Sequence, residues 1–299
     1  MMLTPPQAVE GDVLVSTTVL EDDHAVWSAA TTYAEGDRCR VNATHTVYQS
    51  LVAGNLNHNP TTDTEVEFWI AVGPTNPYRM FDEAVQSQST APDMIEVVLA
   101  PEGIIDNLYL FNIDAAEARI QVEDDVEGVI YDQTFDLVSD VGIEDLYDYF
   151  FAPPRRMRDL PVEGLKPYAD ATITVTLSAP GETVGCGGLK IGQGIDLGLT
   201  QWGMQLGIRD YSKRNESEFG DITVTERAWS RWGKFNIWVE PGQTDAIIDY
   251  LAEFRATAVV WSGDPRYGAS VIYGFFDDLT VEGQYRLKSA ASLSIKGLT

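Results

Sequence analysis

The sequence has no long hydrophobic run and few of the residues that build metal or redox sites. No stretch approaches the roughly 18 consecutive apolar residues of a membrane-spanning helix. Cys39 and Cys186 lie far apart, and no Cys-x-x-Cys pair indicates a zinc or redox site. The three histidines lack the His-x-x-x-His or His-x-His spacing of a metal or catalytic site. These absences predict a protein without a metal, without another cofactor and without a membrane span.

Motifs of several enzyme classes are also missing. The chain has neither a Walker-type phosphate loop nor a Gly-x-Ser-x-Gly elbow. The glycine-rich GCGGLKIGQG (185–194) lies in a β context with no helical pattern behind it, so it does not fit a dinucleotide-binding loop. A glycosidase-like acid pair stays open, but carboxylates are so abundant that no single pair is informative. We therefore expect a protein that is not an enzyme.

Basic residues are scarce. The 46 acidic and 20 basic residues give a formal net charge of −26. Residues 76–215 carry 24 acidic and 10 basic residues, whereas residues 216–299 carry 12 and 8. Such a charge repels nucleic acid and anionic membrane surfaces, so we expect neither direct nucleic-acid binding nor membrane insertion. The first residues lack the basic-then-apolar pattern of a signal peptide, which predicts synthesis and assembly in a cytoplasm.

What the sequence does have is a series of short β patterns, and these predict a mainly β chain. Residues 1–25 read as an acidic arm with one alternating stretch, and residues 26–75 as a small β module. Residues 76–215 read as a β-sandwich, and residues 216–299 as a C-terminal α+β domain. Apolar residues make up 44% of the chain, which is enough for several packed cores.

The sandwich prediction for residues 76–215 depends on short strands separated by turn signals. ATITVTLSA alternates, which places Ile173, Val175 and Leu177 on one face. The pattern resembles a galactose-binding-like jelly roll, a fold often used for adhesion. That fold frequently holds a structural calcium ion, and the oxygen ligands would come from three aspartates: Asp106, Asp132 and Asp136. No tight Asp-x-Asp cluster accompanies them, so the prediction remains that no metal is bound.

The C-terminal domain contains the clearest helical pattern. TDAIIDYLAEFRA has apolar residues at helical spacing behind Thr244, which is a candidate N-cap. The last strand is predicted from the alternation of Leu293 and Ile295, and we expect its exposed edge to pair with a neighbouring subunit. Tryptophan is enriched at the centres of protein interfaces. Three tryptophans in this domain are therefore predicted in the core or at an interface: Trp229, Trp232 and Trp238.

Residues 26–75 resemble the small chitin-binding-type carbohydrate-binding module of chitinases and cellulases. The shared elements are an opening Trp27, TTYAEGDRC, VYQSL and a closing FWIAVGP. The resemblance implies that carbohydrate contacts would come from aromatic residues: Trp27, Tyr33, Tyr48 and Trp69. In that family the exposed platform usually follows the Tyr-Gln pair, where this chain has LVAGN without an aromatic. The alternative, that Tyr48 and Trp69 form the core of a small module, is therefore preferred.

The densest basic run of the chain is FFAPPRRMRDLP (150–161). It supplies three arginines: Arg155, Arg156 and Arg158. A solvated loop is one interpretation. The other is an electrostatic contact with an acidic neighbouring subunit.

The order of these parts resembles structural proteins of tailed-bacteriophage virions, namely tail proteins that contain a carbohydrate-binding domain. Its most specific pieces are the joining segments GPTNPYRMFD and RDYSKRNESEFG. The resemblance implies a tail or tail-tip component whose partners are copies of itself, other tail proteins and a host-surface glycan. The alternative functions are a soluble lectin-like protein whose jelly roll holds a glycan, and a glycan-degrading enzyme.

Overall fold

The computed structural model describes residues 1–9, 11–139, 145–151, 155–216, 221–264, 266–283 and 288–299. The chain is mainly β, which confirms the predicted fold class, whereas the jelly-roll connectivity stays a prediction. Strands β1 to β12 are, in order, Met2–Thr4, Leu14–Thr17, Thr32–Tyr33, Arg38–Val41, Thr46–Ser50, Asn55–Leu56, Trp69–Pro74, Ser89–Leu99, Asn107–Asp114, Glu117–Asp124, Gly128–Asp136 and Val138–Ser139. Strands β13 to β24 are Arg155–Arg156, Leu160–Glu163, Thr172–Gly192, Ile195–Asp196, Leu199–Thr200, Gln205–Asp210, Lys213–Glu216, Ile222–Thr225, Trp229–Val239, Val259–Ser262, Val271–Glu282 and Ser289–Gly297. Helices α1 and α2 are Leu146–Phe151 and Thr244–Glu253.

The first sheet has seven strands, and the long strand β15 runs through it. Its order is β11-β10-β15-β8-β2, with β9 also paired to β15 and β14 paired to β9. In the first half of β15, Ile173, Val175 and Leu177 are buried as predicted and alternate with residues that face outward. The register of β15 against β8 shifts between Ser178 and Thr183, and the other edge of β15 pairs with β10 before this irregularity and with β9 after it.

The second half of β15 is buried on both faces, since each face packs on a different core. Leu189 and Ile191 point into the core of the first sheet. On the opposite face of the first sheet, Tyr109 and Phe111 of β9 pack against Tyr273 of β23. This second contact joins the first sheet face to face with the sheet that contains the C-terminal strands. The two sheets therefore form one packed body.

The second sheet has eight strands in the order β16-β1-β22-β23-β24-β21-β17, with β18 also paired to β21. It extends past the predicted boundary at residue 215, because β16, β17 and β18 precede that boundary. It also takes β1 from the predicted arm, where Leu3 is fully buried between β16 and β22. The arm's second strand, β2, pairs with β8 of the first sheet. Both strands of the arm thus pair within their own chain.

Helix α2 covers the face of the second sheet opposite the first sheet. Ile247 and Leu251 are buried there, whereas Ile248 is 45% exposed. The prediction of Thr244 as N-cap is wrong by one residue. Thr244 has helical backbone angles, with φ −58° and ψ −47°, and is the first residue of the helix, with Gln243 as its N-cap. A turn at Pro241–Gln243 leads directly into the helix, which leaves Thr244 no extended conformation for capping.

The last strand, β24, is a central strand of the second sheet. It pairs with β21 on one side and with β23 on the other. Leu293 and Ile295 are buried in the core, and their alternation was predicted. The expectation that an exposed edge of this strand pairs with a neighbouring subunit is wrong, because both edges already carry hydrogen-bonded partners.

Lys190 is a buried cation at the contact between the two sheets. Its ammonium group donates to the carbonyl oxygens of Phe81 and Asp82 at 2.8 and 2.5 Å and lies 5.1 Å from the ring centre of Tyr273. Burial lowers the pKa of Lys190 from 10.5 to about 8, against the opposing field of Asp82. The unfolded state therefore holds this proton more tightly. The free-energy cost of burying Lys190 is full below pH 8 and disappears as the pH rises towards 10.5.

We expect Lys190→Met to change how stability depends on pH. Between pH 7.5 and 9.5 the free energy of unfolding of the wild type should rise by about 2 kcal/mol relative to the variant. Urea unfolding at the two pH values measures this difference.

The variant is needed because other groups titrate in the same range. Burial raises the pKa of Cys39 to about 11 and that of Cys186 to about 12, which lowers the stability of both proteins alike above pH 9. Parallel pH profiles for wild type and variant would show that Lys190 does not hold the predicted shift.

The small module is tied to this body through two acidic residues of the arm. The Glu21 carboxylate lies 3.0 Å from the His45 ring nitrogen and accepts the Thr75 hydroxyl at 2.8 Å. The Asp23 carboxylate accepts hydrogen bonds from the Arg79 guanidinium at 3.0 Å and from the backbone N–H of Asn76 at 3.1 Å. Each carboxylate thus joins the arm to the segment that leads out of the module.

Candidate functional site: an arginine-lined cleft

The predicted basic run forms one wall of a polar cleft of about 810 Å³. Arg155 and Arg156 lie in the short strand β13, which pairs with β12, and Arg158 follows directly. The cleft is lined by three arginines, two acidic residues, three amides and one isoleucine: Arg155, Arg156, Arg158, Asp114, Glu182, Gln86, Gln88, Asn112 and Ile113. In so acidic a chain, this is an unusual concentration of positive charge.

Arg156 is held by ion pairs within the cleft. It donates to Asp114 at 2.7 Å and to Glu182, and its side chain is 20% exposed. These hydrogen bonds to Asp114 and Glu182 raise the pKa of the guanidinium above its usual value. Arg156 therefore links β13 to β9 and β15, and its positive charge is balanced by the carboxylates of Asp114 and Glu182.

Arg155 and Arg158 differ from Arg156 in their exposure. Both side chains lie at the surface. None of the ion pairs found among the described residues includes either of them. These two guanidinium groups can therefore meet an acidic partner.

A smaller apolar pocket of about 60 Å³ adjoins the cleft. Phe111, Trp229 and Tyr273 contribute aromatic walls to it, and Arg158 lines both spaces. An ion pair closes one side, where the Arg231 guanidinium of β21 lies 2.5 Å from the Asp159 carboxylate. This pair links the second sheet to the segment that follows β13.

Asn112, which lines the cleft, is held by hydrogen bonds from its backbone and from its side chain. Asn112 has a left-handed φ of 48°, and its backbone N–H donates to the Asp159 carboxylate at 3.0 Å. Its side-chain amide donates to the carbonyl oxygen of Val85 at 2.9 Å. Gly187 lies beneath this contact, where an added Cβ would come within 2.1 Å of the same carbonyl. Glycine is required there because the loop approaches β15 so closely.

The first of two projections at the cleft carries a strongly apolar tip. It leaves the first sheet through β12, returns through β13 and includes α1. Within α1, four large side chains are 67–75% exposed: Leu146, Tyr147, Phe150 and Phe151. The rings of Tyr147 and Phe151 lie 4.8 Å apart. We call these four residues the apolar tip; the sequence patterns did not predict it.

The second projection is a β ribbon that leaves the second sheet through β18 and returns through β21. Beyond them, β19 and β20 pair only with each other. Every residue of β19 and β20 is exposed, including Ile222 at 66% and Val224 at 59%. The two projections are linked at their bases by the ion pair between Arg231 of β21 and Asp159, which follows β13.

The six predicted interface residues divide into two groups. Four of them line the cleft or its adjoining pocket: Arg155, Arg156, Arg158 and Trp229. Trp232 instead packs its ring over Gly207 at the base of the ribbon, where an added Cβ would lie 2.6 Å from the indole. Trp238 lies 5.8 Å from the Lys288 ammonium, at a position that does not line the cleft.

The aromatic residues of the small module form its core. Tyr33 and Trp69 are 7% and 2% exposed, with ring centres 5.0 Å apart in an edge-to-face arrangement. The Trp69 indole donates to the carbonyl oxygen of His58 at 2.9 Å. Trp27 and Tyr48 are partly buried against this core. A sugar ring has no access to the faces of Tyr33 and Trp69, so burial removes these two from the candidate carbohydrate contacts.

The three aspartates considered as calcium ligands each have a different hydrogen-bond partner. Asp132 forms a bidentate salt bridge with Arg119, with hydrogen bonds of 2.8 and 2.6 Å. The Asp106 carboxylate accepts a hydrogen bond from the Gly194 backbone N–H at 2.7 Å. Asp136 accepts from the nearby Val138 amide. Across the described ranges, no three His, Cys, Asp or Glu side chains are grouped as a metal site.

No protein-family model matches the sequence, and the search of curated proteins gave no match. Among the helices of the described residues, none is both long and apolar enough to span a membrane.

Proposed function

We propose that this chain is a non-enzymatic structural component of a bacteriophage tail or tail tip, assembled in the host cytoplasm from copies of itself and other tail proteins. The observation that carries the assembly role is the exposure of apolar side chains on two projections, in a chain that also has an arginine-lined cleft. The assignment to a phage tail rests on the resemblance of the sequence parts and their order.

The apolar tip favours a partner because it leaves so much hydrophobic surface in water. Soluble monomers rarely expose contiguous apolar patches larger than roughly a few hundred Å², and the largest patches are often functional. Fully burying one such side chain is worth about 1.5–3 kcal/mol, less the cost of ordering the interface. Four neighbouring side chains can therefore supply much of the stability of one subunit contact.

The β ribbon favours the same conclusion on different grounds. A two-stranded ribbon is at best marginally stable when both of its faces meet water. Docking on another subunit would cover one face or extend the ribbon by strand addition. Ile222 and Val224 are exposed on this ribbon and would then be removed from water.

Charge favours a second copy of this chain as the occupant of the cleft. Each copy has a net charge of −26, so most orientations of two copies repel one another. Arg155 and Arg158 offer a neighbouring copy a local site of attraction. Such charges select orientation and speed association more than they add affinity.

We expect the double substitution Arg155→Glu and Arg158→Glu to weaken self-association, and more at low than at high ionic strength. Sedimentation velocity and negative-stain electron microscopy at low and high salt measure this. Arg156 is left unchanged because its internal ion pairs support the fold. The matched control is Lys166→Glu with Arg255→Glu, which alters net charge equally at exposed positions outside the cleft. Equal association of the two variants at every salt concentration would contradict the proposal.

A soluble carbohydrate-binding protein is the second candidate function. It is favoured by one exposed tryptophan, Trp202, which lies outside the small module.

A further inference from the structure

Trp202 presents an indole ring to solvent in the turn between β17 and β18. Its side chain is 79% exposed, although tryptophan is on average highly buried. Gly203 has a left-handed φ of 93°, which shapes the turn. Tyr267 is 44% exposed and lines the same depression, which has a volume of about 260 Å³. Two aromatic side chains from separate segments therefore border one surface depression.

The indole is held in place from one side. The Arg266 guanidinium lies 4.8 Å from the Trp202 ring centre, a cation–π distance. The Arg266 Nε also donates to the Asp264 carboxylate at 2.9 Å. Because most of the Trp202 side chain remains exposed, the ring face away from the guanidinium is open to a flat apolar ligand surface.

Two polar groups with unused hydrogen-bonding capacity line the same depression as Trp202. The side-chain NH₂ of Gln201 is buried and has no hydrogen-bond partner among the described residues. Hydrogen bonds from Arg266 lower the pKa of Asp264 to about 2, so this carboxylate is ionised at neutral pH. A carboxylate oxygen can accept further hydrogen bonds after it has paired with arginine. The depression thus offers a donor and an acceptor beside an aromatic platform.

We propose that Trp202, Tyr267, Gln201 and Asp264 form a binding site for a neutral pyranose oligosaccharide. The C–H face of a sugar ring stacks on the open indole face, its hydroxyl groups donate to Asp264, and the Gln201 amide donates to a hydroxyl oxygen. A neutral sugar fits because the chain is strongly acidic and the Arg266 charge is already paired with Asp264. This site goes beyond the proposed assembly role and does not depend on it.

The test is titration of the full chain with cellohexaose and, separately, with chitohexaose at millimolar concentration, followed by NMR of the indole N–H signals. Trp202→Phe assigns the Trp202 signal among the seven tryptophans. We expect one of the two probes to shift this signal selectively. Trp202→Ala should weaken binding of that probe about tenfold or more, as for truncation of a central aromatic contact.

Two comparisons separate this site from the others. Trp27→Ala alters the module that resembles a carbohydrate-binding module, and Tyr147→Ala alters the apolar tip. Neither should change the affinity for the saccharide. Loss of binding in Trp27→Ala with full binding in Trp202→Ala would overturn the inference. Failure of both probes to bind the wild type would also overturn it, whatever the outcome of the assembly experiments.

Discussion

Deletion of residues 292–299 is expected to unfold the second sheet. The deletion removes most of β24, the strand between β21 and β23, together with the buried Leu293 and Ile295. Truncating a single buried Leu or Ile to Ala typically costs about 2–5 kcal/mol. Loss of both side chains and of two hydrogen-bonded edges should exceed the total stability of about 5–15 kcal/mol for a typical domain.

Near-ultraviolet circular dichroism and amide hydrogen exchange measure this loss. Exchange protection should disappear in β21 and β23, and weaken in β9 where Tyr109 and Phe111 lose their packing partners. Ser294→Ala is the matched control, because Ser294 lies between the two buried residues and points to the opposite face. A truncated chain that keeps a cooperative thermal transition and native exchange protection would contradict the central position of β24.

Trp69→Ala is expected to unfold the small module while both large sheets remain folded. Replacing a buried tryptophan with alanine typically costs about 3–5 kcal/mol. The module spans only residues 26–75, and so small a unit has little stability to lose. The substitution also leaves the His58 carbonyl oxygen and the Tyr33 ring without their Trp69 contacts.

Segment-resolved hydrogen exchange measures this effect, with protection lost between residues 26 and 75 and kept in β8 and β15. Ile70→Ala is the neighbouring control, since Ile70 is 44% exposed on the same strand. Native protection of the module in Trp69→Ala would show that its stability comes from its docking to the body.

Local patterns in the sequence were enough to predict several elements of the fold. The alternation of Ile173, Val175 and Leu177 indicates a half-buried strand because side chains of a strand point to opposite faces in turn. In the sequence, ARIQVED and GVIYDQTFDL flank a turn signal at Glu127-Gly128, which predicts a hairpin, and the structure contains it as β10 and β11. Both signals arise from residues that are close in sequence.

Long-range pairing could not be predicted in this way. Strand β1 pairs with β22 across more than 250 residues, and nothing local in MLT indicates that partner. The turn at Pro101-Glu102-Gly103 is flanked by β8 and β9, yet these strands do not pair with each other, because β15 lies between them. The predicted C-terminal domain begins at residue 216, and the sheet that contains its strands also contains β1, for which the sequence has no local signal.

The candidate site likewise combines a feature that is visible in the sequence with features that depend on tertiary structure. The arginine run is visible in the sequence, but the neutralisation of Arg156 by Asp114 and Glu182 depends on strands that the chain brings together only when folded. Trp202 stands in LGLTQWGMQL, a stretch without any recognisable motif. Its exposure, and the stacking of Arg266 on it from a distant loop, follow from tertiary structure alone.

Photocrosslinking between copies is the most direct test of assembly through the apolar tip and the arginine-lined cleft. A benzophenone side chain is placed at position 147, in the apolar tip, and in a second protein at Val126, which is 92% exposed in the β10–β11 turn. Irradiation of assembled particles should give a covalent dimer from position 147, and its yield should fall when Arg155 and Arg158 are both changed to Glu. Crosslinking from position 126 but not from position 147 would contradict assembly through the apolar tip and the arginine-lined cleft.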